Sequence, residues 1–142
     1  PNIVLKISLH EGLLPVLADK GNIEQVIMNL VMNAADSMPK GGTLFIKTEN
    51  VELTEKEAVS MPEARPGNFI KITVSDTGLG MEKAILERIF DPFFSTKGDA
   101  GTGLGLSVVY GIITRHDGWI HVRSWPGHGS IFEVYLPAKN NE

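Results

Sequence analysis

Four polar residues, Gln25, Asn29, Asn33 and Asp36, recur at i, i+4, i+8 and i+11 inside a strongly apolar stretch. On a helix they share one side. A solvent face would account for a polar stripe, but solvent faces favour Glu, Lys and Arg, and asparagine is a mediocre helix former whose amide competes for backbone partners. A row of amides also suits contact with a polar ligand or a metal. Magnesium takes oxygen ligands and keeps most of its waters, so one amide oxygen plus substrate phosphates is enough to hold it.

Two glycine clusters offer further chemistry. Asp76-Thr77-Gly78-Leu79-Gly80 follows a strand-like run. A carboxylate at a strand end can accept from an exocyclic amine, and the glycines let backbone approach a flat ring. Turns also explain many D-x-G-x-G matches. Gly101-Thr102-Gly103-Leu104-Gly105-Leu106-Ser107 is sharper, because it leads into a helix whose first N–H groups lack partners and favour anions. It is neither a Walker A loop nor a Rossmann fingerprint, since both Gly-Lys-Ser/Thr and the G-x-G-x-x-G spacing are missing. Between the clusters, Phe90-Asp91-Pro92-Phe93-Phe94-Ser95-Thr96-Lys97 reads as a core plug or as a lid with apolar anchors, Lys97 meeting a phosphate and Gly98 and Gly101 giving hinge freedom.

These residues need elements to hold them. Ile3–Leu9 alternates as a strand. A helix follows, with Asn22 as N-cap and Gln25 three residues on, its core face made by Ile23, Val26, Ile27, Leu30, Val31, Ala34 and Met38. Pro39-Lys40-Gly41-Gly42 ends it. Leu44 to Thr48 is a second strand, and Glu52 to Asn68 a charged surface loop with room for a short helical turn. Phe69 to Ser75 is a third strand, with Ile70, Ile72 and Val74 facing one way. Glu82–Phe90 is a short helix, 91–103 a loop, and Leu104–His116 a second long helix. Trp119–Trp125 and Ser130–Leu136 flank Pro126-Gly127-His128-Gly129 and pair as a hairpin. This order suits an α+β mixed sheet with helices on one face, not a doubly wound parallel sheet.

Composition narrows the function. The chain has 142 residues, the size of one domain, with 42% hydrophobic and 21% charged residues. Thirteen basic against seventeen acidic residues leave a net charge of −4, which disfavours nucleic acid as a partner. The absence of cysteine excludes disulfides and a thiol nucleophile and suits a reducing, cytoplasmic setting. No apolar run is long enough to span a membrane. The start at Pro1 suggests a domain excised from a longer parent, with membrane attachment of that parent left open. Of 15 glycines, six (Gly78, Gly80, Gly98, Gly101, Gly103, Gly105) fall in one short stretch, which concentrates the interest there.

Taken in order, Gln25-Val26-Ile27-Met28-Asn29-Leu30-Val31-Met32-Asn33-Ala34, Asp76 to Met81, Ile89 to Phe94 and Gly101 to Leu106 resemble the N, G1, F and G2 boxes of sensor histidine kinase ATP-binding domains. The wider group includes DNA gyrase B, Hsp90 and MutL, and Gly127-x-Gly129-Ser130-x-Phe132 resembles its closing G-x-G-T-x-F element. The Asn-Ala-Ala-Asp-Ser-Met run and Phe-Ser-Thr-Lys resemble the nitrogen-regulator type. The resemblance implies a single domain over 1–142 with the two-layer α/β sandwich of the GHKL (Bergerat) fold, its sheet mixed and mostly antiparallel. It implies Mg²⁺ held by Asn33 and bridging the phosphates of ATP, with Asp76 accepting from the adenine amino group and Gly78, Gly80 and Met81 around the ring. Phosphates would rest on Thr102, Gly103, Leu104, Gly105 and Leu106 with Lys97, and Ser130 would reach the base through water. The partners implied are a dimerisation domain carrying the acceptor histidine and, downstream, a response regulator; the isolated domain would be a monomer without membrane contact. Lysine or arginine is frequent in such kinases where Asp36 stands here, which leaves one phosphate contact open.

Asn29 stands where hydrolysing relatives carry a glutamate that activates water. An amide cannot take a proton at neutral pH, so Asn29 points to a kinase that preserves ATP. Asn29, Asn33 and Lys97 are the residues expected at the reacting phosphates. A nucleotide-sensing module without transfer and a GHKL ATPase are the alternatives; an anti-sigma serine kinase is disfavoured by the F-box sequence. His10-Glu11 with Pro15 mimics an acceptor box, but it follows a strand and precedes Gly12 rather than lying on a long helix. His116 suits a helix C-terminus, and His121 and His128 read as structural or solvated. The acceptor histidine therefore lies outside this chain.

Overall fold

The structure, a computed structural model, describes residues 2–92, 94 and 105–139. Strand β1 (Ile3–Ser8) is followed by α1 (Lys20–Asp36), β2 (Gly42–Leu53), α2 (Glu55–Val59), β3 (Gly67–Asp76), α3 (Lys83–Leu86), α4 (Gly105–Arg115), β4 (Trp119–Ser124) and β5 (Ser130–Pro137). The strands form one sheet in the order β1-β2-β3-β5-β4. Among the described residues β1 and β2 pair in parallel, and the β2–β3, β3–β5 and β4–β5 pairings, the last a hairpin, are antiparallel. This is the mixed, mostly antiparallel sheet anticipated above.

Strand periodicity decides the layers. Ile70, Ile72 and Val74 of β3 and Phe132, Val134 and Leu136 of β5 face α1 and α4, whose Val26, Leu30, Ala34, Val109, Ile112 and Ile113 complete the main core. The opposite side chains make a smaller cluster on the reverse face. There Trp119 stacks on Tyr135 at 4.9 Å and meets Phe69 edge-on at 4.8 Å, and Met61 and Ala64, after α2, pack against them with Leu53.

Several boundaries differ from the sequence reading, each for a local reason. α1 begins at Lys20 rather than after Asn22, because Asp19 is the cap and its carboxylate accepts the Asn22 N–H at 2.9 Å. β2 runs past Thr48 to Leu53, its polar Asn50 accepting from Leu14 N–H (2.8 Å) and donating to the Gly12 carbonyl (3.1 Å). The capping box lies at α2, where the Thr54 hydroxyl takes the Glu57 N–H and the Glu57 carboxylate takes the Thr54 N–H. α3 stops at Leu86, after which tighter three-residue turns carry the chain to Asp91 and bury Ile89. His116 does more than meet a helix dipole: its Nε2 accepts the Asp19 N–H at 3.1 Å while Nδ1 faces the Ile112 carbonyl at 2.8 Å. The neutral Nδ1–H tautomer satisfies both and ties the end of α4 to the start of α1.

On the reverse face Glu133 is buried 2.7 Å from Lys71 and 3.3 Å from Arg123, with the His121 imidazole at 3.2 Å. Burial alone would raise its carboxyl, but the hydrogen bond and charge of Lys71, then Arg123 and His121, outweigh it and hold the group below its ordinary range. A lowered carboxyl stabilises the fold above the unfolded-state value and loses that contribution as pH falls through the folded one. Glu133→Gln should therefore cost about 2 kcal/mol at neutral pH. Thermal melts should show the gap from the parent sequence narrowing below about pH 4; a gap that stays constant with pH would contradict this account.

Candidate functional site

Among the described residues, α1 meets the start of α4 at Asn29 and, through Ser37 at its end, the loop that follows Asp76 of β3. Asp76 is the last residue of β3 and only 7% exposed, set beside Ser130 of β5 by the sheet register. Its carboxylate accepts the Gly78 N–H at 2.8 Å. Burial raises its carboxyl above the ordinary range, against hydrogen bonds from Gly78, Ser37 and Ser130 that pull it down. An ionised carboxylate kept in so dry a place has its remaining acceptor capacity available to a ligand amine.

The loop after Asp76 is clamped on two sides. Leu79 N–H donates to the Ser37 carbonyl at the end of α1 (2.9 Å), and the Leu79 carbonyl accepts from Gly127 in the hairpin turn (2.7 Å). A Cβ on Gly78 would collide with the Ser37 carbonyl, and one on Gly80, at φ +68°, with that of Trp125. These glycines thus let three segments of the backbone meet. Met81 is half-buried against the main core.

On α1, the Asn29 amide donates to the Gly105 carbonyl at 3.1 Å, so it spans to the first residue of α4. Asn33 lies one turn further on and is half-exposed, while Gln25 and Asp36 are exposed. Among the described residues nothing lies within 4 Å of where a side chain on Gly105 would stand, and Leu106 packs inward against the core. Ser130 is buried, its hydroxyl 2.7 Å from that of Ser124. Because Ser124 donates to the Gly129 carbonyl (3.0 Å), Ser130 is the donor between them, which leaves its oxygen able to accept. Of the 90–97 segment, Phe90 packs on the main core and against Tyr110 at 5.4 Å, and Arg88 lies over the Phe94 ring at 4.5 Å; residues 93 and 95–104, which include Lys97, Thr102, Gly103, Leu104 and the hinges Gly98 and Gly101, lie outside the described residues.

Two residues of this neighbourhood escaped the sequence reading. The Ser37 hydroxyl sits between the Ala34 carbonyl (2.8 Å) and the Asp76 carboxylate, with one proton to share. Thr77 accepts the Thr43 N–H at 3.0 Å and pins the start of β2. Ser37 was visible in the run after Asn33 but has an ordinary helix-end explanation.

Comparison with known proteins agrees with this geometry. The family described as "Histidine kinase-, DNA gyrase B-, and HSP90-like ATPase" matches residues 18–140. Sensor kinase CckA of Brucella abortus is 42% identical over 137 residues, which cover 96% of this chain and 14% of that protein. Sporulation kinase A of Bacillus subtilis is 36% identical over 137 residues, again 96% of this chain, and 20% of its own length. The chain thus spans about a fifth or less of these relatives. Among solved structures, the catalytic domain of histidine kinase ThkA superposes with a TM-score of 0.73 at 30% identity, covering 96% of this chain and 79% of that one.

Proposed function

The chain belongs to the histidine kinase-, DNA gyrase B- and HSP90-like ATPase family, and we propose that it is the ATP-binding catalytic domain, a single unit over its 142 residues, of a sensor histidine kinase. The observations that carry this reading are the buried Asp76 carboxylate at the end of β3 and the start of α4 at Gly105, which the Asn29 amide of α1 reaches. An adenine amino group suits the first and phosphates the second. Asn29 and Asn33 lie one turn apart on α1. Gly103, Leu104 and Gly105 would give backbone N–H groups to the phosphates, with Thr102, Leu106 and Lys97 flanking them.

The residues fit a magnesium ion of the kind that travels with nucleotide. Among the described residues no group of three histidine or acidic side chains could enclose a metal. A bound ion would therefore depend on the Asn33 amide oxygen and the phosphates, and would supply charge neutralisation at the transferring group. Asn29 makes no base; it holds α1 to α4 where the phosphates would lie. ATP would thus be kept for an acceptor histidine on a separate dimerisation domain of the parent, and a response regulator would receive the phosphoryl group afterwards. The nitrogen-regulator affinity rests on the run from Asn33 to Met38 and on residues 94–97. Among the described residues no helix is long and apolar enough to cross a membrane, and we place the domain in the reducing cytoplasm as a monomer, with nucleic acid no partner.

The test is transfer of label from γ-labelled ATP. A cognate acceptor domain added to the chain should become labelled on histidine, whereas the chain alone should not. Hydrolysis by the chain alone should stay well below about 1 per second, the lower end of ordinary enzyme turnover. Faster turnover would favour an ATPase, and binding without transfer a nucleotide-sensing module.

A further inference from the structure

Asp76 meets two opposed demands. To accept from an exocyclic amine its carboxylate must be ionised, yet the group is only 7% exposed, and burial favours the neutral form. Three donors work against burial: the N–H groups of Gly78 and Ser130 and the Ser37 hydroxyl. Among the described residues no charged side chain joins them. Two of the three belong to the backbone and are held by the turn after β3 and by the register of β3 on β5. Only the Ser37 hydroxyl can turn.

The backbone of Ser37 is fixed at the end of α1. Its N–H meets the Asn33 and Ala34 carbonyls, each at 3.1 Å, and its carbonyl takes the Leu79 N–H at 2.9 Å. The hydroxyl abuts the loop after Asp76 so closely that a Cβ on Gly78 would lie 2.5 Å from its oxygen. Two acceptors compete for its one proton, the Ala34 carbonyl at 2.8 Å and the Asp76 carboxylate. The charge on Asp76 decides between them. A neutral carboxyl can donate its own proton to the Ser37 oxygen, and the hydroxyl then points to Ala34. An ionised carboxylate draws the hydroxyl proton to itself, because a bond to a charged acceptor is about twice as strong as one to a neutral acceptor. The turn does not orphan the Ala34 carbonyl, which keeps the Ser37 N–H.

On the reading of the chain as an ATP-binding domain, we propose that Ser37 is a positioning residue of the base site: by turning from the Ala34 carbonyl to the Asp76 carboxylate, its hydroxyl holds Asp76 in the ionised form that selects adenine over guanine. Ionised Asp76 accepts from the adenine amino group and repels the guanine carbonyl. Neutral Asp76 can donate to that carbonyl, and discrimination falls. A helix-end hydroxyl bonded to Ala34 alone would influence neither the ionisation nor the choice of base.

The Asp76 carboxyl carbon is followed by NMR across pH in the nucleotide-free 142-residue chain, its resonance identified by its loss in Asp76→Asn. Without the hydroxyl, in Ser37→Ala, Asp76 should hold its proton about tenfold more tightly, the equivalent of one charged hydrogen bond, and titrate about one pH unit higher. Ser37→Thr, which keeps a hydroxyl, should titrate as the unaltered chain does. Affinities for Mg-ATP and Mg-GTP are measured over the same pH range. Their ratio cancels protonation of the shared triphosphate and should fall toward one as pH drops through the Asp76 titration. Between the two midpoints it should be up to about tenfold smaller in Ser37→Ala than in the unaltered chain. An unmoved titration in Ser37→Ala would overturn the role of Ser37. So would a shift that Ser37→Thr shares in full, which would trace it to packing, and so would a moved titration with an unchanged ratio. Failure of the unaltered chain to bind Mg-ATP would count instead against the proposed function.

Discussion

Replacing Asp76 with alanine should weaken Mg-ATP binding by about 10- to 150-fold, the equivalent of one charged hydrogen bond, and erase discrimination against Mg-GTP. Guanine presents a carbonyl oxygen where adenine presents its amino group, so the carboxylate favours one base and repels the other. Isothermal titration of both nucleotides into both proteins gives the answer, and undiminished ATP affinity in the variant would remove Asp76 from the site. The shape-preserving Asp76→Asn change separates binding from folding. Burial raises the Asp76 carboxyl, so the folded state holds its proton to higher pH than the unfolded one. The sign is then opposite to that of Glu133: stability is lost as pH climbs from the unfolded-state value through the folded one, and ionised Asp76 burdens the empty domain at neutral pH. Asp76→Asn should bind nucleotide poorly yet melt higher at pH 7, with the advantage fading below about pH 4. A binding residue that destabilises its own fold is a common exchange of stability for function.

The second large effect is expected at Gly80, and it is an effect on folding. Alanine there takes on a left-handed backbone conformation, costing about 1–2 kcal/mol, and its Cβ meets the Trp125 carbonyl head-on. That carbonyl cannot move aside without disturbing the turn that gives the Gly127 N–H to Leu79. We expect Gly80→Ala to lose about 3 kcal/mol or more, a drop in Tm of about 10 °C or more. Gly12 is the control: at φ +74° with open space around it, alanine there meets only the backbone penalty. If the two variants melted together, the close approach at Gly80 would be shown to relax cheaply.

The residues of the candidate site are more legible in the sequence than the contacts of the scaffold. Asn29, Asn33, Asp76 and Gly105 could be picked out because their residue types are poor choices for the elements they occupy, and such a mismatch is visible without coordinates. The period-2 faces of β3 and the β4–β5 hairpin were equally legible, since apolar alternation and a Pro-Gly turn are local signals. Partners remote in sequence were not. Nothing near Asn50 says that it will bind the segment around Gly12 and so hold the polar half of β2 in the sheet. The parallel pairing of β1 with β2 depends on α1 crossing between them. The reverse-face cluster was hidden for a related reason: Phe69, Trp119 and Tyr135 each look like the outward half of an amphipathic strand until three strands are laid side by side. The helix boundary at Asp19 was missed because an Asp-Lys-Gly turn and a helix cap share the same residues.

The two tryptophans stand at the two ends of β4, Trp119 as its first residue and Trp125 just past its last. Trp119 is 2% exposed between Tyr135 and Phe69, whereas Trp125 is 50% exposed and its carbonyl rests against Gly80 in the loop that follows Asp76. Indole emission shifts to the blue in a dry setting and to the red in a wet one, so the chain carries two optical reporters of different colour. One watches the loop expected to meet the base, the other the far side of the sheet, and a single Trp→Phe exchange leaves either to be read alone.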